Sequence, residues 1–479
     1  MTILFAASEM DPFARTGGLG DVIEALPASL AERGHDVSVV LPCYRGLRER
    51  AEFGVQSTGV RLPVTVGQKQ LDAELLQCTA PNGVQVFLIR CDAYFDRAGI
   101  YGEEGGSYGD NAERFIYFSR AVVELSRRLL PPPEIIHVHD WQTALIPALV
   151  RDRKLPFKTV LTVHNIAYQG SFWAYDFGLT RLPGDYFAPG RGLEFYGNMN
   201  LLKGGVVMAD AVTTVSERHA REIQTQEYGF GLDAVMRENA GKLTGILNGA
   251  DYAIWNPTID RLLPATFSPE NLAGKKTCRD ALLAEAGLAP NPQGPVIAMV
   301  SRLASQKGID LLFPIIDRLL ADDVRLVILG EGDAGYEREL MIASKRHPEH
   351  FCYRKDMDAR FSHLIEAGAD LSLIPSFYEP CGLTAMYGLK YGALPIARAT
   401  GGLYEIIQDF DPTMNSGNGF LFFEANPEAL WDSIVRAKRQ FQDKESWEAL
   451  MIRAMQTDFS WTRAAPRYEA VYRSVLGQR

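Results

Sequence analysis

Short apolar runs rich in β-branched residues alternate with longer amphipathic stretches along nearly the whole chain, and this alternation constrains the fold more than any other feature. Residues 3–6, 37–41, 135–138, 159–163, 211–215 and 243–247 read as strands, with helical patterns at 21–33, 112–129, 142–150 and 217–224. Such alternation implies βαβ units and a mostly parallel sheet. The stretch 59–89 departs from it: runs at 60–66, 71–77 and 84–89, parted by Gly67 and Pro81-Asn82-Gly83, predict an antiparallel insertion. After a segment at 257–274 rich in Pro, Thr and Asn, strands resume at 296–300, 325–329, 371–374, 394–397 and 420–422. The partition is therefore two α/β blocks of roughly 200–250 residues each, joined near 247–257. The last segment, 447–475, is helical in pattern with no strand after it, so it must pack on something already built.

Composition narrows the function. A formal charge of −10, from 49 basic and 59 acidic residues, argues against an extended nucleic-acid footprint and against docking on an anionic membrane. No apolar run approaches the ~18 residues that span a bilayer. Met1-Thr2-Ile3-Leu4-Phe5 lacks a basic flank and reads as a first strand, not a signal peptide. The six cysteines are scattered without a Cys-x-x-Cys pair, which fits a reducing cytoplasm better than a disulfide or zinc scaffold. The expectation is a cytoplasmic protein.

Several loops carry chemistry. Arg15-Thr16-Gly17-Gly18-Leu19-Gly20-Asp21 joins the first strand to a helix. The glycines fit an ordinary βα turn, but they also expose backbone N–H groups at a helix N-terminus, where the dipole favours an anion. Arg15 adds a phosphate-matched guanidinium and tilts the reading to phosphate or substrate contact. Thr400-Gly401-Gly402-Leu403 repeats the logic in the second block, at the carboxyl end of a strand where open α/β sheets bind ligands. Arg302 and Lys307, after strand 296–300, are either two solvated loop cations or a pair that neutralises a diphosphate leaving group. Glu379, between Tyr378 and Pro380-Cys381-Gly382, suits sugar hydroxyls or developing positive charge, and Cys381 reads as a buried thiol, since no Cys–His pattern accompanies it.

In the first block His137 and His139 share one face of a strand, yet no third ligand suggests a metal. Asp140-Trp141 and His164-Asn165 lie past strand ends, where a carboxylate and an indole suit a sugar. Gly330-Glu331-Gly332-Asp333-Ala334-Gly335 satisfies G-x-G-x-x-G, but it follows the second strand of its block and sets two carboxylates beside any pyrophosphate. It reads as a nucleotide-proximal turn, not an NAD site.

Taken in order, Glu9…Arg15-Thr-Gly-Gly-Leu-Gly-Asp21, His139-Asp140-Trp141, Thr162-Val-His164-Asn165, Leu247-Asn248-Gly249, Ser301-Arg302-Leu-x-x-Gln306-Lys307-Gly308, Ser376…Glu379-Pro380-Cys381-Gly382-Leu383-Thr384, Thr400-Gly401-Gly402-Leu403 and Asp458-Phe459-Ser460-Trp461 resemble the bacterial glycogen synthases and plant starch synthases across essentially the whole chain. The resemblance implies a GT-B fold: two Rossmann-like doubly wound domains facing across a deep cleft, at 1–247 and 248–455, with a helical tail at 456–479 crossing back to the first. It implies retaining transfer of glucose from ADP-glucose to the non-reducing end of an α-1,4-glucan, without metal or pyridoxal cofactor and without nucleic-acid or membrane partners. On it, Arg302 and Lys307 hold the diphosphate, Glu379 grips the donor glucose and the backbone carbonyl of His164 faces the anomeric carbon. Arg15, Gly17, Gly18, Asp21, Cys381, Gly382, Leu383, Thr384, Thr400, Gly401 and Gly402 contact phosphate and sugar. Asp140, Trp141 and Tyr101 face the acceptor, Asn165 contacts substrate, and Asn248 reaches the donor from the hinge.

Two positions depart from the family pattern. Arg15 stands where lysine is usual, and Met357 stands near where an aromatic residue can stack on the nucleobase. The alternatives are a UDP-glucose-preferring glucan synthase, another retaining GT-B transferase, a non-catalytic glucan-binding relative and an NAD-dependent dehydrogenase. The presence of Arg302, Lys307 and Glu379 opposes the non-catalytic one.

Overall fold

The computed structural model describes residues 1–103, 106–356 and 358–477; Met357 lies outside them. The chain forms two units, Met1–Gly249 with Trp461–Arg479, and Ala250–Ser460. No helix among the described residues is long and apolar enough to cross a membrane.

The first unit is built on a nine-stranded sheet. Seven parallel strands follow in chain order: Thr2–Ala6, Asp36–Pro42, Gln85–Arg90, Ile135–His139, Lys158–Val163, Ala211–Thr214 and Leu243–Gly245. Thr2–Ala6 lies between Asp36–Pro42 and Ile135–His139, so the strand order reverses on either side of it. The central strands are buried almost throughout because helices cover both faces, which is why they read as unbroken apolar runs. Gln56–Val66 and Lys69–Thr79 form the expected antiparallel hairpin. The third run differs: Gln85–Arg90 pairs antiparallel with Lys69–Thr79 but parallel with Asp36–Pro42, so the insertion is the continuous edge of the main sheet.

The terminal helix Trp461–Val475 belongs to this unit and buries Trp461, Ala464, Ala465, Tyr468 and Tyr472. Glu469 accepts from Arg33 Nε at 2.6 Å and lies 2.9 Å from His35 Nε2. The Arg33 guanidinium holds the Glu469 carboxyl down at about 2, with His35 helping. The chain leaves the unit after Gly249, where a Cβ would stand 2.6 Å from the Trp461 backbone, so glycine is required for this return packing.

The second unit is a six-stranded parallel sheet. Its strands in chain order are Val296–Val300, Arg325–Leu329, Phe351–Arg354, Leu371–Ile374, Leu394–Arg398 and Phe420–Phe422, arranged 3-2-1-4-5-6. That is the dinucleotide-fold order, with its switch point between Val296–Val300 and Leu371–Ile374. Phe351–Arg354 was not anticipated: it is a four-residue edge strand with Cys352 and Arg354 half-buried, too short and too polar to stand out beside His347-Pro-Glu-His. Lys275 is fully enclosed, its ammonium donating to the carbonyls of Ala367, Ala369 and Tyr391 at 3.1, 2.9 and 2.8 Å.

Candidate active site

In the second unit, two loops at the switch point are laced together. Phe377 N–H donates to the Gln306 carbonyl at 2.9 Å, and Gln306 Nε2 donates to the Tyr378 carbonyl at 3.2 Å. Gly308, at φ +69°, lets the Pro375 carbonyl approach to where a Cβ would lie only 2.0 Å away. This lacing sets Lys307 Nζ 2.6 Å from Glu379 Oε2, which also accepts from Ser376 Oγ at 3.0 Å. Glu379 is 9% exposed. A small recess of about 20 Å³ opens beside this pair, lined also by Ser301, Gly382 and Thr384. Arg302, one loop turn away, is exposed, and among the described residues its guanidinium makes no ion pair.

The glycine-rich turn at 330–335 is explained by packing. A Cβ on Gly332 would lie 2.2 Å from the Leu303 carbonyl, and Leu303 N–H donates to the Glu331 carbonyl at 2.8 Å. The turn therefore braces the loop that carries Arg302. Asp333 caps helix Ala334–Arg346 by accepting from the Gly335 and Tyr336 amides, so a carboxylate already fills that N-terminus.

The second glycine pair lies against the Glu379 backbone. Gly402 N–H donates to the Glu379 carbonyl at 3.1 Å, so it is spent on the protein and not offered to an anion. Gly401, at φ +46°, has no room for a Cβ, which would sit 2.0 Å from the same carbonyl. The loop thus seats Glu379 from behind. The Thr400 hydroxyl is buried without a hydrogen-bond partner among the described residues. Cys381 is buried, and Gly382 at φ +102° starts helix Leu383–Lys390, so Leu383 and Thr384 form its first turn.

In the first unit the site lies at the carboxyl ends of Thr2–Ala6, Ile135–His139 and Lys158–Val163. Glu9, 3% exposed, accepts from Thr16 N–H at 2.5 Å, Thr16 Oγ1 at 2.8 Å, Gly17 N–H at 3.2 Å and Tyr101 hydroxyl at 2.5 Å. The Gly17 amide is held by a carboxylate of its own chain, so helix Gly18–Glu32 begins with Gly17 already engaged. Tyr101 turns its hydroxyl to Glu9 and Ser8. Arg15 pairs with Asp21 at 2.9 Å.

Asp140 follows its strand directly at φ +54°, a backbone region sparsely used by residues other than glycine but most tolerated by Asp and Asn. Its Oδ1 accepts from His164 N–H at 2.7 Å, yet burial pushes the carboxyl up to about 7. His164 Nε2 lies 2.9 Å from His139 Nδ1, and burial pushes His164 down to about 3, so the imidazole is neutral at physiological pH. His137 is fully buried between Tyr472 hydroxyl at 2.8 Å and Thr162 Oγ1 at 2.6 Å. Among the described residues no group of three metal-ligating side chains is gathered.

Trp141 packs edge-on against Phe115 and Phe172. Asn165 spends its side-chain oxygen on the Ala167 amide, 3.0 Å away, and Asn248 is buried beside Tyr468.

Sequence reasoning missed Glu9, Ser376, Gln306 and His139 as site builders. Glu9 and Ser376 lie within eight residues of Thr16, Gly17 and Glu379, so loop proximity was an available signal for those contacts; nothing in the sequence marks the Tyr101, Gln306 and His139 contacts.

Residues 2–238 match the starch synthase catalytic domain and residues 284–448 the group 1 glycosyl transferases. The glycogen synthase of Koribacter versatilis (strain Ellin345) is 46% identical, covering 98% of each chain. That of Myxococcus xanthus (strain DK1622) is 43% identical, covering 100% of each. The catalytic domain of starch synthase IV from Arabidopsis thaliana, solved with ADP and acarbose bound, superposes with a TM-score of 0.92 at 33% identity, over 100% of this chain and 99% of that one. Sucrose-phosphate synthase from Thermosynechococcus elongatus shares the fold, with a TM-score of 0.63 at 16% identity and 99% coverage of both chains.

Proposed function

This chain belongs to the glycogen synthase family of GT-B glycosyltransferases, and from that membership we propose that it transfers glucose from ADP-glucose to the non-reducing end of an α-1,4-glucan with retention of configuration. One observation carries the reading for this chain's own residues: Lys307 lies 2.6 Å from Glu379 at the switch point of the second unit, with Arg302 exposed on the same loop. Two cations there oppose the charge that develops on a departing diphosphate. Glu379, seated by Ser376, Lys307 and the Thr400–Gly402 loop, accepts from sugar hydroxyls.

The recess is lined by one carboxylate, Glu379. A glycosidase-like double displacement uses two carboxylates about 5–5.5 Å apart. Retention is therefore read as front-face substitution: the C1–O bond to diphosphate breaks, the acceptor oxygen bonds to C1 on the same face, and the acceptor proton passes to a departing phosphate oxygen. The protein's cations serve where other transferases place a metal, so neither metal nor pyridoxal phosphate is required. In the first unit, neutral His164 and Asp140, whose carboxyl is half-protonated near neutrality, suit a polar but uncharged acceptor. A cytoplasmic setting is supported by six free cysteines, five of them buried.

The test compares ADP-glucose with UDP-glucose, labelled in the sugar, with glycogen as acceptor. Label should enter polymer from ADP-glucose and be released by an exo-acting α-1,4-glucanase. Equal or greater kcat/KM with UDP-glucose would overturn the donor assignment, and label resistant to the glucanase would overturn the linkage.

A further inference from the structure

We propose that His139 is a positioning residue for the reaction: it donates its Nδ1–H to His164 Nε2 and so fixes His164 as the tautomer that carries its own proton on Nδ1, ready to hydrogen-bond a sugar oxygen. The proposal rests on the glucosyl-transfer reading above.

His139 and Asp140 are consecutive at the end of strand Ile135–His139, and their side chains grip His164 at two points. Asp140 Oδ1 accepts from the His164 backbone N–H at 2.7 Å, and His139 Nδ1 lies 2.9 Å from His164 Nε2. The first contact fixes the backbone and the second fixes the ring. Strand pairing sets the register of this grip, because His139 lies opposite Thr162, two positions before His164. His139 is itself held on every side. Its N–H donates to Thr143 Oγ1 at 2.7 Å, and that hydroxyl donates back to the His139 carbonyl at 2.9 Å. Phe5 stacks on the His139 ring, with centroids 5.5 Å apart and planes at 18°, and the His137 ring centroid lies 4.2 Å away.

These surroundings also decide which nitrogen of His139 holds the proton. Burial pushes His139 well below its ordinary value, with His137 and His164 adding to the shift, so the ring is neutral and carries one N–H. His139 Nε2 is buried without a hydrogen-bond partner among the described residues. His137 is not available to it, since its own nitrogens face the Tyr472 hydroxyl at 2.8 Å and Thr162 Oγ1 at 2.6 Å. A proton on His139 Nε2 would therefore be a buried donor with no acceptor, the rarer kind of orphan in folded proteins. A proton on Nδ1 instead meets a bare His164 Nε2. The neutral His164 ring then keeps its proton on Nδ1. His164 is half-buried, and no hydrogen bond among the described residues uses its Nδ1. In this state His164 is a donor only: its Nε2 lone pair is spent on His139 and its Nδ1 is already protonated. It cannot take the proton of the acceptor hydroxyl, which is left to the departing phosphate oxygen.

The test uses the full chain. With ¹⁵N-labelled histidine, long-range ¹H–¹⁵N correlation spectra separate protonated from bare ring nitrogens, and loss of signals in His139→Asn and His164→Gln identifies the two rings. The expected spectrum has both rings protonated at Nδ1 and bare at Nε2. Protons on both Nε2 atoms would overturn the proposal and leave the assignment of the reaction untouched, because this readout needs no turnover. The wild-type spectrum decides the tautomer even where a substituted chain does not fold. Kinetics with ADP-glucose and maltotriose give the second arm. His139→Leu removes the donor, whereas His139→Asn returns an amide N–H near the former Nδ1. The expected kcat falls about tenfold in His139→Leu, the worth of one hydrogen bond to substrate, with ADP affinity unchanged, and His139→Asn recovers most of it. Wild-type kcat in His139→Leu, or equal losses in the two variants, would overturn the positioning role.

Discussion

Replacing Lys307 by alanine perturbs stability and catalysis by separable amounts. Its ammonium lies 2.6 Å from Glu379 Oε2. Breaking a fully buried pair from one side costs about 3–5 kcal/mol, and the 19% and 11% exposure of the two side chains puts this one at the lower end, about 3 kcal/mol. That cost is the unpaired Glu379 carboxylate, so Glu379→Gln in the same chain should recover most of it. The catalytic loss has another origin. Removing one preorganised electrostatic partner of a leaving group lowers kcat by about 10²–10³, or roughly 2.7–4 kcal/mol, and adding Glu379→Gln cannot restore it. Denaturant titration and steady-state kinetics on both variants and the double variant read the two effects apart. Wild-type kcat in Lys307→Ala, or recovery of kcat in the double variant, would refute the leaving-group role.

Glu9→Ala frees the Thr16 and Gly17 amides together, so it should depress kcat/KM for the donor far more than Tyr101→Phe, which removes one of the four bonds; matched losses would show that loop anchoring is not what Glu9 does. Asp140 predicts a pH signature: its folded value of about 7 lies above the ordinary carboxylate value of 3.8, so its contribution to stability is full below pH ~4 and is lost as pH rises through ~7. The stability difference between wild type and Asp140→Asn, followed by thermal melts, should shrink over that window, and a flat difference would contradict the buried-carboxyl account. Exhaustive chelation should leave glucosyl transfer intact; activity lost to chelator and restored by a divalent ion would show that Arg302 and Lys307 do not suffice.

The two sheets were legible because parallel strands covered on both faces are apolar at nearly every position, as Val296–Val300 is. Phe351–Arg354 escaped because an edge strand of four residues need not be. Glu379, Lys307 and Arg302 could be picked out as charged groups on loops at strand ends, but the contact between the first two joins positions 72 apart in sequence and exists only through the Gln306 and Gly308 lacing. The glycine pairs show what a sequence leaves open. A glycine records that a side chain is excluded, not whether its N–H is free: Gly17 and Gly402 both donate to glutamate oxygens of their own chain. Tyr101 similarly has an aromatic identity that suits sugar, while its hydroxyl serves Glu9, 92 positions away.

The central claim, retaining transfer from ADP-glucose to an α-glucan, is tested most directly by the configuration of the new linkage. ADP-[1-¹³C]glucose and maltotriose, incubated with the enzyme and followed by NMR, should give a labelled anomeric signal of an α-1,4-linked residue at the non-reducing end. A β-linked product, or label appearing only as free glucose, would contradict it.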